Sequence, residues 1–115
     1  MALSNSITLG SDAYTEVRRE GRMVERAIYR TGIGWKVLRI MHKVPPNGGD
    51  IVHTSEVRLP YLIDANAKTV RVGSIRIVVT RAPNMPAAEL DALVATAQAW
   101  VASANFPLHI SSLQS

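Results

Sequence analysis

The sequence contains no cysteine, which excludes a disulfide framework, a thiolate nucleophile and a cysteine-ligated metal site. It has no apolar run near the roughly 18 residues of a membrane span, and its polar N-terminus does not read as a signal peptide. Basic residues are missing from the last third: all 13 Lys and Arg lie between Arg18 and Arg81. Residues 1–81 set those 13 against seven acids, leaving +6, whereas residues 82–115 carry only Glu89 and Asp91 and sum to −2. Positive charge confined to one part of a small chain is the electrostatic footprint of a polyanion partner, against the plainer reading of a solvated basic surface.

Catalytic patterns are missing as well. There is no Gly-x-Ser-x-Gly, P-loop or His-Glu-x-x-His pattern, and Gly32-Ile33-Gly34 lacks the third glycine and following helix of a dinucleotide site. His42, His53 and His109 are well separated in sequence with no metal-ligand spacing, so each reads as an ordinary hydrogen-bonded residue. Glu89 and Asp91 stand two apart on a predicted helix, do not face each other, and read as partners of the helix dipole. No catalytic residue, metal ligand or cofactor is expected.

What is present is 115 residues that are 47% hydrophobic, enough for one domain with a modest core. Ser6–Gly10 and Ala13–Arg19 flank Gly10-Ser11-Asp12, a hairpin signal. Met23–Arg30 and Trp35–Val44 read as further strands, and Pro45-Pro46-Asn47-Gly48-Gly49 is a strong turn. Ile51–Leu59 returns antiparallel, with Pro60 and the loop Asp64-Ala65-Asn66-Ala67-Lys68 separating it from the strand Thr69–Arg81. After Pro83-Asn84-Met85-Pro86 the period changes from two to about 3.6 and the composition from β-branched residues to alanine and leucine. Asn84 is the expected N-cap of this helix, Asn105 and Pro107 its expected end, and Leu108, Ile110 and Leu113 suggest a short second helix.

Alternation along the strands sorts side chains onto two faces. Arg39, Met41, Lys43, Thr54, Glu56, Arg58, Ser74, Arg76 and Thr80 fall on a polar, basic face; Leu38, Ile40, His42, Ser55, Val57, Leu59, Ile75, Ile77 and Val79 fall on the other. A single antiparallel sheet with one wet face is the expected solution. On the basic face Arg and Lys can pair with phosphates, while Thr and Ser can reach base edges or sugars of a single strand or loop. Trp35 and Trp100 could stack on bases, Trp100 fitting a core better. Tyr14, Tyr29 and Tyr61 are too dispersed to form a stacking platform.

The aliphatic face needs a cover. Leu90, Leu93, Val94, Ala97, Val101 and Ala104 recur at helical spacing, with Trp100 beside them. A helix of about 19 residues is roughly 28 Å by 10 Å, narrower than six strands at about 4.8 Å each. One chain cannot cover its own sheet, so a homodimer is expected in which each chain's helices lie across the other's sheet.

The order of elements resembles the coat proteins of single-stranded RNA bacteriophages, the levivirus type, over essentially the whole chain. The likeness rests on Arg39–Leu59 around Asn47-Gly48, on the strand end Val57-Arg58-Leu59-Pro60, and on the strand–break–helix passage Ile75–Ser103. It implies an α+β fold: an N-terminal hairpin and antiparallel meander followed by two C-terminal helices, in an interlocked homodimer with a continuous sheet. It further implies a single coat-protein domain, with residues 1–81 forming the sheet and residues 82–115 the helical dimerisation segment. Leu90, Leu93, Val94, Ala97, Trp100 and Val101 would lie in the dimer interface, and Asp64, Ala65, Asn66, Ala67 and Lys68 in a loop between dimers. Such dimers build an icosahedral shell in the bacterial host cytoplasm around genomic RNA. They also bind a hairpin of that RNA on the inner sheet face, repressing replicase translation. By position that face carries the nine residues from Arg39 to Thr80 named above. The chain departs from the family pattern at Met41, where relatives tend to be polar, and at Glu56, whose carboxylate would repel phosphate unless paired with Arg58 or Arg76. A cellular dimer binding RNA or single-stranded DNA is the alternative reading; neither reading calls for a membrane or a small-molecule substrate.

Overall fold

The computed structural model describes residues 5–64 and 69–112 of the chain. Six strands form one antiparallel sheet in sequence order: β1 (Ser6–Leu9), β2 (Asp12–Glu20), β3 (Met23–Arg30), β4 (Gly34–Lys43), β5 (Ile51–Asp64) and β6 (Thr69–Arg81). Two helices follow, α1 (Ala87–Ala102) and α2 (Asn105–Ser111). This is the expected α+β order, strands first and helices last. The chain divides into two compact units, one ending at Thr80 and one beginning at Arg81.

The turns explain the meander. Gly10, Gly21, Gly32 and Gly48 have φ values of 64°, 55°, 74° and 78°, each at a reversal where a side chain would be strained. Asn47 adds an Asx-type contact, its Oδ1 accepting from Gly49 N–H at 3.1 Å. A bulge between Glu16 and Arg18 lets Val17 drop out of register against β3, so Glu16 opposes Arg26 while Arg18 opposes Glu25.

Three expectations are corrected. Pro60 does not end β5, which continues to Asp64. The last β5 residue registered against β4 is Arg58, so the missing proline N–H removes no rung there. The Pro60 carbonyl accepts from Arg30 Nη1 at 3.2 Å, and a Cβ at Gly34 would sit 3.6 Å from the proline ring. The N-cap of α1 is Pro86, with no side-chain cap, rather than Asn84. Asn105 and Pro107 belong to α2 instead of ending α1, and Ala104 lies beyond α1 in the link between the helices. Proline is tolerated in a first turn because the N–H it lacks has no helical partner there. Leu113 and Ala65–Lys68 lie outside the described residues.

The aliphatic face is less clean than alternation suggests. Cross-strand partners share a face, so Leu38 and Ile40 share theirs with Arg26, Val24, Val57 and Ser55. Arg26, at 2% exposure, is more buried than Tyr14, Ala27 and Leu38, the buried hydrophobic residues among those described. Across β2 it faces Glu16, whose carboxyl is lowered by a hydrogen bond from Arg19 and by the charges of Arg19 and Arg26, with burial opposing. Lys36 pairs with Asp12 at 2.6 Å. With so few apolar residues buried, each weighs heavily: Leu38→Ala is expected to cost about 2–5 kcal/mol, read as a lower urea midpoint with unchanged slope.

Candidate nucleic-acid interface

The β4–β5 register decides which candidate residues meet. Val37 opposes Arg58, Arg39 opposes Glu56, Met41 opposes Thr54 and Lys43 opposes Val52, so six of the nine candidates share one face of two adjacent strands. Arg76 joins them from β6, reaching Glu56 Oε2 with Nη2 at 2.9 Å and Nε at 3.3 Å. Ser74 and Thr80 lie two and four residues from Arg76 along β6 and follow it onto that face; both are exposed.

The face is organised by a row of alternating charge that the strand patterns alone did not reveal. Arg18, Glu25, Arg39 and Glu56 are successive register partners across β2 to β5, and Arg76 extends the row. Arg39 Nη2 meets Glu25 Oε1 at 2.6 Å, Arg18 approaches the same oxygen at 3.9 Å and Glu20 at 2.7 Å, and Arg58 Nε meets Glu56 Oε1 at 2.6 Å. Opposite charges facing one another across neighbouring strands stabilise a sheet modestly and fix its register.

Glu56 is the hub. Its side chain is 5% exposed, while those of Arg58 and Arg76 are 42% and 60% exposed. Its carboxyl is held below its ordinary value of 4.5, first by the Arg76 hydrogen bond, against burial, then by the Arg58 hydrogen bond and both positive charges. Repulsion of phosphate by Glu56 is thus offset by the pairing. Arg58 gives it only Nε, and Arg76 gives Nε and Nη2, so each fork keeps N–H groups for an outside acceptor. A group whose folded pKa is depressed contributes stability above its unfolded value, lost as pH falls through the folded one. Urea midpoints of the wild type are therefore expected to fall below pH 4.5 more steeply than those of Glu56→Gln. Parallel curves would mean that Glu56 holds nothing.

Two pairs were hidden in the sequence. Tyr29 and Trp35 are register partners on the basic face, their rings edge to face at 5.3 Å, and both are more than half exposed. Tyr14, by contrast, is buried. His42 and His53, read as separate, are also register partners, with Nδ1 atoms 2.7 Å apart. They stand on the other face, among Ile40 and Ser55. Among the described residues no group of three or more His, Cys, Asp or Glu could hold a metal ion.

The proposed interface helix is unlike an ordinary surface helix. α1 buries no residue, and Leu93, Val94, Trp100 and Val101 are 46%, 39%, 47% and 50% exposed. Its polar residues are only Glu89, Asp91, Thr96 and Gln98, and the Thr96 hydroxyl turns back onto the Ala92 carbonyl at 2.8 Å. Alanines fill the faces between Leu90, Leu93, Val94, Ala97 and Val101, so the stripe merges into an almost wholly apolar surface. Trp100 stacks edge-on against Phe106 of α2 at 5.8 Å. No helix among the described residues is long and apolar enough to cross a membrane. Of the expected inter-dimer loop, Asp64 ends β5 and the other four residues lie outside the described ones.

No protein-family model and no curated protein sequence matches the chain. Solved structures do. The virus-like particle of bacteriophage AVE019 aligns with a TM-score of 0.78 at 13% identity, over 97% of this chain and 96% of that one. The virus-like particle of Beihai levi-like virus 21 gives 0.76 at 12% identity, over 96% and 93%. That of bacteriophage GQ-907 gives 0.70 at 18% identity, over 99% and 92%. Six antiparallel strands followed by C-terminal helix are thus the fold that this chain shares with levivirus-type coat proteins.

Proposed function

We propose that the chain is a structural coat protein that dimerises, assembles into an icosahedral shell and holds single-stranded RNA against the face carrying Arg39 to Thr80. The observation that carries this reading is the shared fold, which extends over 97% of this chain and 96% of a chain that forms a virus-like particle. The exposed surfaces support it. α1 offers exposed apolar side chains. At the sheet edges, β1 is short, as protected edges usually are, but β6 runs 13 residues with Val72, Ile75, Ile77 and Val78 more than half exposed. A long apolar edge is a template for pairing with another chain. Two copies joined along β6 would make one continuous sheet, with the helices of each lying across the other.

On the RNA side, Arg18, Arg39, Lys43, Arg58 and Arg76 stand against Glu20, Glu25 and Glu56, a surplus of +2 per chain that two copies would double. Phosphates would displace counterions and meet the outer edges of the Arg58 and Arg76 forks and the Lys43 ammonium. Thr54, Ser74 and Thr80 hydroxyls would reach sugars or unstacked bases, the interactions by which a hairpin loop would be distinguished. Recovery of RNA protected from nuclease in purified assemblies tests this directly. Assemblies free of nucleic acid, or nucleic acid fully digested, would remove RNA from the proposal while leaving the shell.

A further inference from the structure

The hairpin around Asn47-Gly48 sets His42 directly opposite His53, between the rungs Met41–Thr54 and Lys43–Val52. The backbone of both histidines is therefore fixed. Their Nδ1 atoms converge to 2.7 Å with the rings edge to face at a centroid distance of 4.9 Å. A contact of that length takes one hydrogen: one Nδ1 carries it and the other presents its lone pair. Two imidazole nitrogens that meet with a single proton between them form a donor set that a metal ion can enter once that proton passes to Nε2 of the same ring, leaving both rings neutral and both Nδ1 lone pairs for the ion.

From this we infer that His42 and His53 form a two-histidine site for a borderline divalent transition-metal ion of the zinc(II) class. Zinc–nitrogen bonds of about 2.0–2.1 Å place two nitrogens on one ion about 2.9–3.4 Å apart. The pair must open by less than about 1 Å, and His42, which is exposed, has room to turn. Imidazole nitrogen suits zinc, nickel and copper, whereas magnesium and calcium require oxygen ligands that this pair does not supply. With no group of three or more candidate ligands among the described residues, water completes the coordination. The site is an exchangeable one and not a closed structural zinc site. It lies on the face opposite Arg39 and Lys43, so it stands independently of the RNA reading.

The test is equilibrium dialysis of the full chain against zinc chloride, comparing wild type with His42→Gln, His53→Gln and His109→Gln. Wild type and His109→Gln are expected to bind one zinc per chain that magnesium does not displace. Either of the other substitutions is expected to weaken that binding by about tenfold or more, at least what losing an outer-shell partner costs. A second readout needs no substitution: zinc is expected to suppress diethyl pyrocarbonate labelling of His42 and His53, mapped by mass spectrometry. Equal zinc uptake by all four proteins, or labelling unchanged by zinc, would overturn the assignment.

Discussion

Leu93→Glu is expected to leave the strands folded and to abolish particles altogether. In the single chain Leu93 is 46% exposed and α1 buries nothing, so a glutamate there costs about what an ordinary surface change does, within roughly 0.5 kcal/mol. Against a second copy the same carboxylate would be buried without a partner, a cost of several kcal/mol that shifts association by orders of magnitude. The contrast between an intact β-sheet circular dichroism signal and the loss of fast-sedimenting material is the expected signature. Leu93→Ala gives a graded version, about 2–5 kcal/mol if the leucine is packed in the assembled form. Normal particles from Leu93→Glu would mean that α1 faces solvent in the assembled state.

The second large effect is on RNA. Replacing Arg39, Lys43 and Arg76 together by Ala is expected to weaken RNA binding strongly and to flatten its dependence on salt by about two units of slope, at about 0.7 per phosphate contact on a single strand. The ion pairs sharpen this expectation. Arg39 and Arg76 hold Glu25 and Glu56, so removing the bases also uncovers acids, and the face passes from five bases against three acids to two against three. Lys43, which has no ion-pair partner among the described residues, is expected to dominate at low occupancy, and Lys43→Ala alone to remove about one contact. Fluorescence anisotropy on a labelled single strand between about 50 and 200 mM salt reads both slopes. An unchanged slope in the triple variant would move the RNA off this face.

Most of the sheet was legible because its turns are marked by residue type. Met23–Arg30 and Thr69–Arg81 have the limits expected of them, and glycines with positive φ sit where the meander reverses. Pro60 was misread because a proline is compatible with a strand wherever its missing N–H is not needed in the ladder, and only pairing reveals where that is. The faces were legible but their occupants were not. Arg26 lies on the aliphatic side because it is the register partner of Leu38, a pairing across β3 and β4 that the pattern of neither strand alone shows. The two hidden pairs could have been found by counting outwards from the turns. His42 and His53 are equidistant from Asn47-Gly48, as Tyr29 and Trp35 are from Gly32. The alternating row from Arg18 to Arg76 needed several registers at once, and a pattern read one strand at a time cannot supply them.

Self-assembly into a closed shell is the claim on which the rest depends, and negative-stain electron microscopy of the full chain expressed in a bacterial host tests it most directly. Uniform, closed particles of a single diameter are the result expected from the shared fold, the exposed apolar side chains of α1 and the long β6 edge. Discrete dimers that never form shells would contradict it and favour a cellular nucleic-acid-binding dimer, and a well-folded monomer at micromolar concentration would contradict both.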